Sequence, residues 1–287
     1  LAALSQGPAD NLLFSINTIL ARRQLPDSHQ MKKSLVLSFL TLAVGPVVSR
    51  AGPPLATGDV PTATAGILEI YEGRQYQKNA DGTQERATST EFAYGINDRL
   101  EANFELPYLS EETTQGWGDT TIGSKYMFVT ETSTCPGFAG SAKWVAPTGN
   151  AARGLGRGIS AWSGRLRLQK TWADLTGMTN LGYTTFSKPM NAPKKVRENP
   201  WFASIAAEYR LVRRTSLLAE IYLQTREKQG APNRLAYSLG FKQKITSGLR
   251  VHGAIGGSLR DGDAGGPQFR FFLGLKYELA VRPKAVR

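Results

Sequence analysis

Leu100-Glu101-Ala102-Asn103-Phe104-Glu105-Leu106 decides the fold of this chain. Leu, Ala, Phe and Leu fall on one face, and Glu, Asn and Glu on the other. A period of two is that of a strand with unlike faces; an amphipathic helix would repeat its apolar residues at three and four. The same alternation recurs in Thr88–Ile96, Thr120–Phe128, Phe138–Ala146, Trp162–Leu168 and Gly177–Tyr183. It continues in Ala203–Tyr209, Leu217–Leu223, Leu235–Phe241, Leu249–Leu259 and Phe269–Leu279. A less regular segment, Ala65–Tyr76, brings the expectation to about 12 strands.

The connections alternate in length. Short links lie at Asn97-Asp98, Glu131–Pro136, Trp172–Asp174, Val212–Thr215 and Thr246–Gly248. Longer ones lie at Gln77–Glu85, Leu109–Gly118, Pro147–Gly158, Ser187–Asn199, Arg226–Pro232 and Arg260–Pro267. Tight turns at one end and long loops at the other are the pattern of a transmembrane barrel. An even strand count places both ends of the barrel on its tight-turn side.

The two faces separate a membrane barrel from a soluble sandwich. One carries Phe92, Tyr94, Phe104, Tyr126, Phe128, Trp144, Trp162, Tyr183, Tyr209, Tyr237, Phe241, Phe269, Phe271 and Tyr277. The other carries Glu101, Asn103, Glu105, Lys125, Lys143, Arg165, Arg167, Glu208, Arg210, Glu220, Arg234, Lys242, Arg250, Arg270 and Lys276. In lipid every backbone group needs a partner, so such a sheet has to close. The expected fold is all-β: an antiparallel up-and-down transmembrane barrel over residues 52–279, with the charged face lining its lumen.

Helical membrane insertion is excluded by length. The longest apolar run, Leu35–Val48, is broken by Gly45-Pro46 and falls short of the roughly 20 residues that a spanning helix needs. Met31-Lys32-Lys33, that apolar run and Ser49-Arg50-Ala51 follow the order of a secretory signal peptide. Residues 31–51 are therefore expected to be removed, leaving Gly52 first, while residues 1–30 read as leader and residues 280–287 as a basic tail.

The full chain has 35 Lys/Arg and 23 Asp/Glu. Five and two of these precede residue 52, so the remainder carries 30 − 21 = +9. Such a charge suits anionic lipid or anionic solutes, and secretion disfavours nucleic acid as a partner. Cys135 is the sole cysteine, which removes a disulfide framework and a cysteine-rich metal site.

Tyr94-Gly95-Ile96-Asn97-Asp98-Arg99-Leu100-Glu101 and Leu106-Pro107-Tyr108 resemble the barrel family named for the MetA pathway of phenol degradation. So do Gly116–Tyr126, Pro147-Thr148-Gly149 and the terminal Phe272-Leu273-Gly274-Leu275-Lys276-Tyr277. The likeness runs over about residues 66–279 and rests on turn and strand signatures. It implies an outer-membrane barrel serving transport, and supplies no catalytic residues. Chains of that family usually end on an aromatic residue, whereas here Leu279 is followed by Ala280–Arg287.

Chemical sites are expected to be absent: no catalytic, cofactor or metal residues are assigned. A hydrolase triad needs a histidine, and the secreted part has only His252, six residues from Ser258 and about 20 Å away at ~3.3 Å per residue. Asp261-Gly262-Asp263 reads as a polar external turn. Glycines 149, 154, 156 and 158 lack the ending of a phosphate loop and read as a flexible connection. Lys194-Lys195-Val196-Arg197 suits either lipopolysaccharide phosphates or plain solvation.

The candidate site is the lumen, lined by Glu101, Glu105, Lys125, Lys143, Arg165, Arg167, Arg210, Glu220, Arg234, Lys242, Arg250, Arg270 and Lys276. With Glu91, Glu208 and Glu278 added, ten bases face six acids, a net of 10 − 6 = +4. Two readings stand side by side: a ladder of ion pairs that fills the barrel, or a wet path favouring anions. A pore or passive transporter for small, anionic or aromatic, solutes leads. A non-conducting structural or anchoring barrel follows, and an outer-membrane hydrolase comes third. Lipid and lipopolysaccharide are the expected surroundings, and a small solute the expected ligand.

Overall fold

Among the described residues thirteen strands follow one another, all paired antiparallel in one sheet. The structure is a computed structural model, and it describes residues 54–79, 82–110, 114–187, 199–227, 233–260 and 267–281. The strands are β1 (Ile67–Asn79), β2 (Gln84–Asn97), β3 (Leu100–Ser110), β4 (Gln115–Trp117), β5 (Thr121–Val129), β6 (Gly137–Val145) and β7 (Ala161–Trp172). They continue with β8 (Leu175–Phe186), β9 (Trp201–Val212), β10 (Thr215–Gln224), β11 (Arg234–Lys244), β12 (Leu249–Ser258) and β13 (Pro267–Ala280).

Twelve of them make one closed ring, because β1 pairs with β13 and β2 with β3 while the remaining long strands pair in succession. The expected strand number and tight turns are therefore found. Three details differ. The long strands have 9 to 14 residues, running past most expected ends. The connection Leu109–Gly118 holds the three-residue β4, which folds back on β3. The first strand starts at Ile67, because Gly66 turns with φ 76° and Ala65 makes only an isolated bridge to Gly95.

Closure leaves the barrel with an inverted distribution of polarity. Ile205 is 66% exposed, Trp162 58% and Leu239 51%, whereas Lys125 is 8% and Glu220 4% exposed. Water would not tolerate an apolar outer wall this extensive in a soluble monomer. Aromatic pairs mark its long-loop end, with Trp144 and Trp162 at 6.3 Å and Tyr183 and Trp201 at 4.7 Å. Trp172, Tyr209 and Phe241 ring the short-turn end. Two such girdles flanking an apolar band belong to a barrel crossing a bilayer.

The connection between β6 and β7 is built, not loose. Asp119 accepts hydrogen bonds from the Gly149 and Arg157 amides at 3.0 and 2.7 Å. Asn150 caps the short turn Ala151–Arg153, and Leu155 is buried with Ala87 and Leu109. Glycine is needed at 156, where a Cβ would lie 2.5 Å from the Asp119 carboxylate. Gly149 and Gly156 thus serve close packing, and Gly154 and Gly158 left-handed turns with φ of 76° and 66°, rather than flexibility. Lys194–Arg197, Asp261–Asp263, the signal-like segment and residues 282–287 lie outside the described residues.

Candidate functional site

Residues 54–64 run inside the barrel. Before Gly66 turns into β1, Thr62 donates to the Asp98 carbonyl at the short-turn mouth, at 3.2 Å. From there, towards Pro54, the segment climbs the lumen, and its backbone groups are satisfied by lumenal side chains, as buried peptide groups must be. The Ala63 amide donates to Glu101 at 2.8 Å. Lys125 binds the Pro61 carbonyl and lies 3.5 Å from both Asp59 and Glu101. Asn180 grips Gly58 twice, accepting from its amide and donating to its carbonyl, each at 2.9 Å.

The tightest anchor is Glu220. Its carboxylate accepts from the Ala56 and Thr57 amides at 2.8 Å and from the Thr57 hydroxyl at 2.9 Å. Arg165 donates to the Ala56 carbonyl at 3.0 Å. Apolar pads complete the seat: Leu55 is buried with Met178, Ala206 and Leu218, and Ala56 with Phe202, Tyr222 and Ala236. A cavity of about 480 Å³ remains beside the segment, walled by Glu69, Tyr71, Lys143, Arg167, Lys242 and His252 among others.

Most of the expected lumen residues meet inside the barrel as ion pairs. Lys143 lies 3.5 Å from Glu91 and 3.9 Å from Glu105, two carboxylates placed opposite one another on β2 and β3. Lys242 binds Glu208 at 2.8 Å, and Arg250 binds Glu278 at 3.1 Å. Lys276 bridges Glu69 at 2.6 Å and Glu278 at 3.3 Å, again across directly opposed acids. Arg270 pairs with Glu220 at 3.6 Å and donates to the Ser238 hydroxyl at 2.7 Å. Like charges facing across strands destabilise a sheet, and here a cation lies within ion-pair distance of both members of each opposed acidic pair.

Two of the thirteen sit at the rims. Arg210 reaches Asp174 of the β7–β8 turn at 3.4 Å, with over half of its side chain exposed. Arg234 begins β11 at the long-loop end and forms no ion pair among the described residues. Arg167 differs: its Nε and Nη1 are buried without a hydrogen-bond partner among the described residues, and its guanidinium packs on Gly58. Both ring nitrogens of His252 are likewise unbonded, its ring 6.4 Å from that of Tyr71. The Ser258 hydroxyl lies 3.3 Å from the Leu235 carbonyl and 3.4 Å from that of Arg260, and its one proton serves these instead of His252.

Sequence reasoning missed Asp59 and Glu69, because one precedes the strands and the other lies in the least regular of them. Including both lowers the excess from +4 to 4 − 2 = +2, and that surplus is the two rim arginines, Arg210 and Arg234; between the rims eight bases face eight acids. It also missed Asn180, an uncharged residue whose two hydrogen bonds hold the segment.

This closed sheet, apolar without and ionic within, defines a membrane-spanning β-barrel of the outer-membrane type. Residues 76–271 match the family described as Putative MetA-pathway of phenol degradation, and the chain belongs to that family. A solved outer membrane channel of the COG4313 group from Pseudomonas putida F1 shares the fold, with a TM-score of 0.65 at 16% identity over 78% of this chain and all of that one. The KdgM porin, with a TM-score of 0.51 at 10% identity, covers 73% of this chain and 98% of its own. The NanC porin, at 0.52 and 10%, covers 74% of this chain and 100% of its own. No curated protein matches the chain.

Proposed function

We propose that the protein is an outer-membrane pore for small solutes, held closed in this conformation by residues 54–64. One observation carries the reading: a polar cavity of about 480 Å³ lies inside a membrane barrel, and the barrier beside it is a loose-chain segment rather than the wall. Glu220, Asn180, Glu101 and Lys125 hold that segment by side-chain hydrogen bonds to its backbone. Such bonds exchange against water one by one, so the segment can leave without disturbing the strand ladder. The named functions of the solved channel and porins of like fold support the same reading.

Anions are the solutes that the lumen favours. The surplus of +2 stands at the two mouths, on Arg210 and Arg234, where fixed charge raises the local concentration of counter-ions. Arg167 has spare donors at the cavity to offer a carboxylate or sulfonate. Liposomes holding the purified barrel test this. Swelling in an aromatic carboxylate should outpace swelling in a neutral aromatic solute of the same size. Equal rates would remove the anion preference, and no swelling for either would favour the non-conducting barrel.

A further inference from the structure

The outward face of the barrel is apolar nearly everywhere, and its exceptions are concentrated in one place. On β3 and β5–β13 the outward positions carry no charge except Lys170, whose ammonium reaches the Thr132 and Ser133 carbonyls at the short-turn end. On β1 and β2 the pattern breaks. Glu72 and Arg74 point outward between Ile70 and Tyr76, and the residues paired with them on β2 are Thr90 and Thr88. Their β13 partners are Leu275 and Leu273, well inside the apolar belt. Glu72 is exposed, its carboxylate held among the described residues only by the Thr90 hydroxyl at 2.7 Å. Arg74 forms no ion pair among the described residues.

Acyl chains cannot solvate this pair. A charge near the middle of a barrel's lipid face is destabilising, more for Arg than for a carboxylate, but a carboxylate is too short to reach the headgroups as Arg or Lys can. Arg74 could extend outwards; Glu72 could not. Something polar therefore covers this wall, at a depth where only protein reaches.

We propose that β1 and β2 form the interface of a two-fold dimer, in which Glu72 of each copy pairs with Arg74 of the other. The single patch argues for two-fold symmetry: a ring of three or more needs two different complementary surfaces, whereas a two-fold contact is one surface meeting itself. The charges are self-complementary. With strands tilted about 40° and rising about 3.3 Å per residue, Glu72 and Arg74 differ in depth by about 5 Å, within reach of an arginine side chain. Strands of opposite tilt cross at one point, so the contact centres on these residues. Lys78 and Arg86, exposed nearer the long-loop end, diverge towards the headgroups.

Cross-linking in native membranes tests the pairing. In a Cys135→Ser background, Thr88→Cys should give a species of twice the mass with a short bismaleimide, and Ile205→Cys on the far wall should not. Glu72→Arg or Arg74→Glu alone should cut that yield at least tenfold, and the exchange Glu72→Arg with Arg74→Glu should restore it. The proposal is overturned if Thr88→Cys yields no doubled species, or links only to another protein. It is equally overturned if the single charge reversals leave the yield unchanged. Bound lipopolysaccharide lost on Arg74→Glu, without any cross-link, would assign the wall to lipid instead.

Discussion

Replacing Glu220 by Gln should loosen the lumenal segment while leaving the barrel intact. The carboxylate receives three hydrogen bonds from Ala56 and Thr57 at 2.8–2.9 Å and none of its side chain is exposed. Glutamine keeps one acceptor oxygen; set at the Oε2 place it still accepts from the Thr57 amide and hydroxyl, while its amino group faces the Ala56 amide, so one bond is lost. Bonds to a charged group contribute about 1.5–3 kcal/mol each. Taking the low end gives roughly 1.5 kcal/mol, and at ~1.4 kcal/mol per decade the released population rises by about 10-fold. Hydrogen exchange followed by mass spectrometry reads this directly, in peptides covering residues 54–64 against peptides from β7 and β8. Exchange in the segment should accelerate by about one order of magnitude while the strands stay protected. Unchanged exchange in the segment would refute the assignment of Glu220 as its anchor, and acceleration throughout would mean that the barrel had been weakened instead.

Three further outcomes follow from the same geometry. Gly95→Ala places a methyl 2.2 Å from the Thr64 carbonyl oxygen and 2.4 Å from that of Ala63; overpacking of this kind costs about 1–3 kcal/mol, so the heat-modified band on gels should appear at lower temperature than in the parent. Asp119→Ala removes both hydrogen bonds that hold the β6–β7 loop, and tryptic cleavage after Arg153 or Arg157 should become rapid, with the strands untouched. Changing Arg234, Lys242 and Arg250 together to Glu reverses the inward charge, and the reversal potential in a salt gradient should move to cation selectivity. An unchanged potential would take these three out of the ion path.

The barrel was readable because each strand separates lipid from lumen, so every second residue reports its face. Tyr126, Phe241 and Phe271 outside, and Glu101, Lys125 and Lys276 inside, follow from the period alone. Cross-strand register was less secure. The short link Thr246–Gly248 does not by itself say which residues close it; Ile245 and Leu249 do, which sets Lys244 opposite Arg250 and Lys242 opposite His252. Lys242 is then free to bind Glu208, two strands away. The lumenal segment left no sign in the pattern, since its residues follow neither period and its seat is made by backbone groups on distant side chains. Of the two readings of the lumen, interleaved ion pairs describe most of its wall, and what fills it is the chain's own residues 54–64.

Single-channel recording on the barrel with residues 54–64 deleted tests the account most directly, provided the deleted form keeps the heat-modifiable mobility of the parent. The account predicts that the parent rests at low conductance with brief openings, and that the deleted form opens steadily with a several-fold larger step. Equal conductance in the two would contradict the claim that this segment closes the pore.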